Sequence, residues 1–130
     1  MAKILFIEDD LSVQFTLKKL MECFGYTVIV ANDGPEGLAQ YKKYNPSIDI
    51  IICDIDMPYW DGFQFLQQLK MLGGETPPFV FISAYVDRNI VRKVSKLPEV
   101  DCIIKKPVDQ EILKTILIAI RMKNKTPAEQ

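Results

Sequence analysis

Four groups of reactive side chains stand at the ends of short apolar runs. Glu8-Asp9-Asp10 follows Ile4 to Ile7, Asp54 with Asp56 follows Ile48 to Cys53, Ser83 ends the run from Phe79, and Lys105-Lys106-Pro107 follows Val100 to Ile104. Gathered in one place, these carboxylates, hydroxyl and ammonium could hold a hard divalent cation and accept a phosphoryl group. Carboxylates at the ends of buried strands would repel one another by about 4 kcal/mol per pair at 4 Å and an effective dielectric near 20. Something positive must offset that. Mg²⁺ is the natural partner, because it prefers oxygen ligands and is usually held by one or two carboxylates together with phosphate oxygens; Mn²⁺ could serve in its place. With Glu8, Asp9 and Asp54 ionised, a divalent ion and Lys106 would bring the pocket close to neutrality.

Each group also has a plainer explanation. The acidic trio could cap a helix, where negative charge at the N-terminus is favourable. Ser83 could be a turn residue and Lys106 a solvated lysine beside a proline. Asp54 is harder to dismiss, since it follows a run of almost unbroken apolar residues.

The chain contains no histidine. That excludes Ser-His-Asp and Cys-His catalysis, His-ligated zinc and a histidine phosphocarrier. Its three cysteines, Cys23, Cys53 and Cys102, are odd in number and lack C-x-x-C spacing, so neither a disulfide framework nor a zinc site is indicated. The remaining chemistry must come from carboxylates, hydroxyls, lysines and a bound metal.

The elements that would position these residues are legible in the pattern. Five apolar runs rich in Ile, Val and Phe, namely Ile4 to Ile7, Tyr26 to Ala31, Ile48 to Cys53, Phe79 to Ser83 and Val100 to Ile104, alternate with segments of helical periodicity. The first helix puts Val13, Leu17, Leu20, Met21 and Phe24 on one face and ends at Gly25. The second opens at Asp33-Gly34-Pro35-Glu36, where Asp33 and Glu36 have capping-box spacing. The third runs from about Asp61 to Leu72 and closes at Gly73-Gly74; the fourth, Asp87 to Leu97, is stopped by Pro98. The fifth, Asp109 to about Lys123, stacks Ile112, Leu113, Ile116, Leu117 and Ile120.

Strict alternation of strand and helix implies a parallel sheet with helices on both faces. The expected fold is therefore α/β, a doubly wound five-stranded parallel sheet. At 130 residues and 48% apolar composition, one domain can bury its own core. Residues 1–122 are expected to form it, with 123–130 as a polar tail or linker stub. In such a sheet, ligands bind beyond the carboxyl ends of the strands, where four of the five runs end on reactive groups. The second ends blandly at Ala31-Asn32, as an edge strand would.

Formal net charge is -1, against a free-standing nucleic-acid binder. Its distribution is uneven: residues 1–87 hold 6 Lys/Arg and 12 Asp/Glu, whereas residues 88–130 hold 10 and 5. The N-terminal apolar run is too short for a signal-peptide core, and no apolar stretch approaches a membrane span. A cytoplasmic protein without membrane or direct nucleic-acid contact is expected.

The acidic pair Glu8-Asp9, the segment Asp54-Ile55-Asp56-Met57-Pro58 with Asp61-Gly62, the pair Ser83-Ala84 and the pair Lys106-Pro107 together resemble the receiver (response-regulator) family over residues 3 to about 122. The resemblance implies a flavodoxin-like strand order 2-1-3-4-5. It also implies that Asp54 is the phosphoacceptor, and that Glu8, Asp9, Asp54 and the backbone carbonyl of Asp56 hold Mg²⁺. Ser83 and Lys106 would contact the phosphoryl oxygens, and the Lys106-Pro107 bond would often be cis. The implied donor is a sensor histidine kinase or a histidine phosphotransfer protein. The implied output is a changed helix 4/strand 5/helix 5 surface read by an effector protein or domain, with the chain a monomer or a phosphorylation-dependent dimer. It would be a signalling phosphoacceptor, catalysing only its own phosphorylation and dephosphorylation.

Several positions depart from or modulate this pattern. Glu8 stands where Asp is usual, one methylene longer. Ile103 stands where an aromatic switch residue is usual, and Tyr59 where a small residue is common; Tyr59 and Trp60 form an aromatic pair that either packs over its loop or meets a partner. Asp56 and Tyr85 occupy positions that influence phosphoryl loss in the family. Three rivals share parts of the pattern. A degenerate receiver would act only as an interaction module. A haloacid-dehalogenase-type phosphatase would use Asp54-Ile55-Asp56 as its D-x-D core, but that core follows the first strand there. A flavodoxin-like flavin binder would need a phosphate loop where Glu8-Asp9-Asp10 stands.

Overall fold

A computed structural model describes residues 2–123. Five strands and five helices alternate: β1 (Lys3–Ile7), α1 (Leu11–Cys23), β2 (Thr27–Ala31), α2 (Gly34–Tyr44), β3 (Ile50–Asp54), α3 (Gly62–Lys70), β4 (Phe79–Ser83), α4 (Arg88–Ser95), β5 (Val100–Lys105) and α5 (Gln110–Lys123). The strands are all parallel, in the order β2-β1-β3-β4-β5. This is the expected doubly wound, flavodoxin-like topology, with β2 at an edge. Of the expected polar tail, only Lys123 lies within the described residues, as the last residue of α5.

The period-2 alternation of a strand divides the core into two layers. Ile4, Phe6, Ile50, Ile52, Val80 and Ile82 face Leu17 and Met21 of α1 and Leu113, Leu117 and Ile120 of α5. On the other face, Leu5, Ile7, Ile51, Cys53, Phe79 and Phe81 meet Tyr41 of α2, Phe65, Leu66 and Leu69 of α3, and Val94 of α4. Both faces are covered, which is why the central strands read as continuous apolar runs.

The structure corrects three local expectations. The expected run from Ile48 to Cys53 contains Asp49, which lies outside the strand. It precedes β3, and its carboxylate accepts a hydrogen bond from the Lys3 amide at 2.8 Å, supplying an acceptor at the sheet's lower end. Asp33 caps α2 through the Glu36 amide at 2.8 Å, but the Glu36 carboxylate turns back to Asn32, so the box is half-formed. The complete box is at Asp61 and Gln64, opening α3. On α5, Ile112 is 52% exposed, because the inward stripe follows Leu113, Leu117 and Ile120 and leaves Ile112 at its outer edge. Gly25 ends α1 with φ +97, the left-handed geometry anticipated for that position.

Candidate functional site

The parallel sheet brings the C-terminal ends of β1, β3, β4 and β5 to one rim, and the expected residues meet there. The acidic trio after β1 divides its work. Asp10 is the N-cap of α1, accepting from the amides of Ser12 at 2.9 Å and Val13 at 3.2 Å. Glu8 instead turns inward and is fully buried (0% exposed), while Asp9 stays exposed at the mouth. Glu8 Oε2 accepts from the Asp10 amide at 3.1 Å, and its Oε1 lies 2.6 Å from Lys106 Nζ.

Asp54 is the last residue of β3 and only 3% exposed. Its Oδ2 lies 3.2 Å from Lys106 Nζ, and its Oδ1 accepts from the Asp56 amide at 3.3 Å. Burial raises the Asp54 pKa from 3.8 to about 7, aided by its hydrogen bond to Glu8 and the charge on Glu8, and opposed by Lys106. Burial alone would lower the Lys106 pKa, but the hydrogen bond to Glu8 and the charges of Asp54 and Glu8 outweigh it, so the ammonium is held more firmly. One lysine thus serves two buried carboxylates.

Ser83 ends β4 and is 1% exposed. Its hydroxyl faces the Tyr85 carbonyl at 2.9 Å and the Asp56 carboxylate at 3.3 Å, and it accepts from the Tyr85 amide at 3.1 Å. The Tyr85 side chain is exposed, so this residue reaches the site through its backbone. Lys106 is tied to the same strand end, its amide donating to the Ser83 carbonyl at 2.8 Å, and the Lys106-Pro107 bond is cis.

Between β3 and α3, the loop explains why a glycine follows Asp61. A Cβ on Gly62 would lie 2.8 Å from the Asp54 carbonyl oxygen, 2.8 Å from Phe81 and 2.9 Å from the Ile55 backbone. Gly62→Ala is therefore expected to cost about 1–3 kcal/mol by overpacking, read as a fall in the thermal midpoint; an unchanged midpoint would show that the loop can yield. The aromatic pair in this loop splits. Trp60 packs against Gly34 and the second core layer, whereas Tyr59 is 82% exposed with φ +67. Ile103 on β5 is half-buried, packed on the same layer and opposite Phe81.

Sequence reasoning missed two contributors. Gln14 on α1 donates to the Glu8 carbonyl at 2.9 Å and the Asn32 side chain at 3.0 Å, pinning the β1 end. Cys53, fully buried behind Asp54, donates through sulfur to the Asp54 carbonyl at 3.2 Å, and burial followed by the charges of Asp54, Glu8 and Asp61 raises its thiol pKa. Neither belongs to a spaced motif, so only their position along α1 and β3 could have flagged them.

Glu8, Asp9 and Asp54 each offer an oxygen such that all lie within 4.8 Å of one another. This donor set suits a hard cation, since three carboxylates share the site with one lysine.

Comparison with known proteins agrees with this geometry. The family model described as "Response regulator receiver domain" matches residues 4–118. The probable C4-dicarboxylate response regulator DctR of Priestia megaterium is 38% identical over 116 residues, covering 88% of this chain and 49% of its own length. Protein PilH of Pseudomonas aeruginosa is 32% identical over 117 residues, covering 89% and 95%. The chain spans from a quarter to about half the length of several of its curated relatives, DctR included. Among solved structures, CheY in the CheX-CheY-BeF3-Mg²⁺ complex from Borrelia burgdorferi superposes with TM-score 0.84 at 25% identity, covering 92% of this chain and 89% of that one. With the family matched along nearly its whole described length and the strand order the same, this chain belongs to the response regulator receiver domains of two-component signalling.

Proposed function

We propose that Asp54 is the phosphoacceptor of this receiver domain and that a kinase phosphohistidine is its donor. The observation that carries this is the placement of one buried strand-end carboxylate, Asp54, within 3.2 Å of Lys106 and beside Glu8, Asp9 and Ser83. An Asp54 oxygen attacks phosphorus in line; the phosphorus–nitrogen bond breaks and its electron pair returns to the donor imidazole, leaving an acyl phosphate. Lys106 balances charge on the transferring oxygens, and Ser83 exchanges its loop partners for a phosphoryl oxygen. Glu8, Asp9, Asp54 and the Asp56 carbonyl would hold Mg²⁺, or Mn²⁺ in its place; when bound, it supplies further positive charge at those oxygens. The similarity to a chain of the Borrelia CheX-CheY-BeF3-Mg²⁺ complex supports a phosphoryl and metal site here. Later attack by water resets the domain, so the chemistry it catalyses is confined to its own phosphorylation and dephosphorylation.

The output is proposed to be the α4/β5/α5 face, where Ser83 reordering would be felt and where exposed Val91 and Ile112 lie in the basic C-terminal portion. Packed as it is, Ile103 cannot swing as a ring would, so this route runs through the Ser83–Tyr85 loop. A sensor kinase or phosphotransfer protein upstream and an effector downstream fit this role, as does a cytoplasmic site; no helix among the described residues is long and apolar enough to cross a membrane. The D-x-D phosphatase reading is not favoured, because Asp54 ends the third strand of a matched receiver.

Incubation with Mg²⁺ and acetyl phosphate, followed by intact mass measurement, should add one phosphoryl group that is absent in Asp54→Asn. No gain with several small donors and a cognate kinase would sink the proposal. Steady phosphate release from unrelated monoesters would favour the phosphatase.

A further inference from the structure

On the face of the sheet away from α1 and α5, α3 leans on α2 and α4 on β5, and an open trough of about 680 Å³ remains between α3 and α4. Phe63, Leu66 and Leu97 line it, with Met71, 73% exposed, at the C-terminal end of α3. Its charges are unevenly committed. Asp61 caps α3 through the Gln64 amide, and Lys70 is paired with Glu99 at 2.6 Å. Lys93 makes no ion pair among the described residues; its Nζ lies 4.0 Å from the centre of the Phe63 ring. α4 holds Arg88, Arg92 and Lys93 with no acid between Arg88 and Ser95, and Lys96 follows. Arg92 stands four residues from both Arg88 and Lys96, a spacing at which like charges repel. The helix dipole favours cations in the last turn, which accounts for Arg92 and Lys93, but it opposes Arg88 in the first. The helix thus carries more positive charge than its own folding uses.

We propose that the α3/α4 trough docks an acidic amphipathic helix of a partner protein. This surface is distinct from the α4/β5/α5 face, and its use does not depend on phosphorylation at Asp54. The apolar floor takes the partner's apolar stripe, while Lys93, with Arg92 and Lys96 beside it, faces the partner's carboxylates. With nine residues in α3 and eight in α4, the trough runs about 12–14 Å at 1.5 Å per residue, enough for two turns of helix with apolar anchors at i, i+4 and i+7. A basic helix would meet Lys93 and its neighbours as like charges. A nucleic-acid backbone does not suit an apolar floor that ends at Asp61, close to the Asp54 pocket.

The test uses the unphosphorylated full chain and a labelled helical peptide carrying Leu at i, i+4 and i+7 with Glu on both flanks, its binding followed by fluorescence anisotropy. Lys93→Glu and Met71→Glu, both at exposed positions that leave the core untouched, are each expected to weaken binding about tenfold or more. Lys93→Arg should keep it within about twofold, and so should Lys19→Glu, the same charge change on α1 across the sheet. Replacing the peptide's Glu residues by Lys, or scrambling its Leu stripe, should also cost about tenfold or more. Amide NMR shifts on adding the peptide should cluster on α3 and α4. Loss in Lys19→Glu equal to that in Lys93→Glu would mean attraction by net charge alone and would overturn the groove, as would shifts confined to other elements or no binding at all. A concentration-dependent dimer whose shifts fall on α3 and α4 would give the trough to a second copy of the chain and overturn the partner helix. Failure of Asp54 phosphorylation would leave these outcomes unaltered, so the two proposals fail separately.

Discussion

Asp54→Asn is expected to stabilise the metal-free protein at pH 8 by on the order of 3 kcal/mol and to leave it nearly unchanged at pH 4. The folded-state pKa of about 7 stands above the ordinary 3.8. Between those values the native state binds a proton that the unfolded chain has released, so stability falls as pH rises through the window. Below about pH 4 both states are protonated and the carboxylate costs nothing. Above pH 7 the full penalty of a buried charge beside Glu8 is present, and the neutral, similarly shaped Asn removes it. For a chain of this size the gain corresponds to roughly 10 °C in thermal midpoint. Scans of both proteins in chelator at the two pH values provide the check. A gain of equal size at pH 4 and pH 8 would mean that Asn acts by packing rather than by removing charge. Saturating Mg²⁺ should shrink the difference at pH 8, since a bound cation stabilises only the native chain that holds it.

Lys106→Met is expected to have the opposite sign and a comparable size. Among the described residues, Lys106 makes all the ion pairs of Glu8 and Asp54. Removing it leaves two buried carboxylates facing each other, at a cost of about 3–5 kcal/mol at neutral pH. Acidification or Mg²⁺ should recover part of that loss, because either one restores charge balance. Phosphorylation by acetyl phosphate should slow by roughly 10²–10³-fold even in Mg²⁺, as when one preorganised donor to a developing oxyanion is lost. Lys106→Arg keeps the charge but not the compact ammonium, so stability should return more fully than rate. Denaturant melts alongside single-turnover mass kinetics would separate the two effects. A variant with native stability and rate would remove Lys106 from both roles.

Much of this was legible in the chain. Strand–helix alternation dictates a parallel sheet, because parallel neighbours require crossovers and helices are the compact way to make them. That topology in turn dictates which strand ends share a rim, and Glu8, Asp54, Ser83 and Lys106 were placed together on those grounds. The same alternation implied helices on both faces of the sheet, and the two core layers lie under them. Local errors arose where one side chain had two acceptable partners. Glu36 could complete a box with Asp33 but is drawn to Asn32, and Ile112 fits a helical stripe whose edge the neighbours do not reach.

By itself, the sequence determined the fold class, the strand ends that carry chemistry and the family, because these depend on periodicity and residue type, which are local. Only the tertiary structure decided how the trio after β1 is shared out, with Asp10 capping a helix, Asp9 at the mouth and Glu8 buried against Lys106. It also decided that Gly62 is required by the approach of the Asp54 carbonyl, that Tyr59 and Trp60 point apart, and that Ser83 is held by its own loop. The reason is physical. Burial, pKa and ion-pair choice depend on the distances between residues far apart in the chain, and those distances exist only once the sheet has brought β1, β3, β4 and β5 side by side.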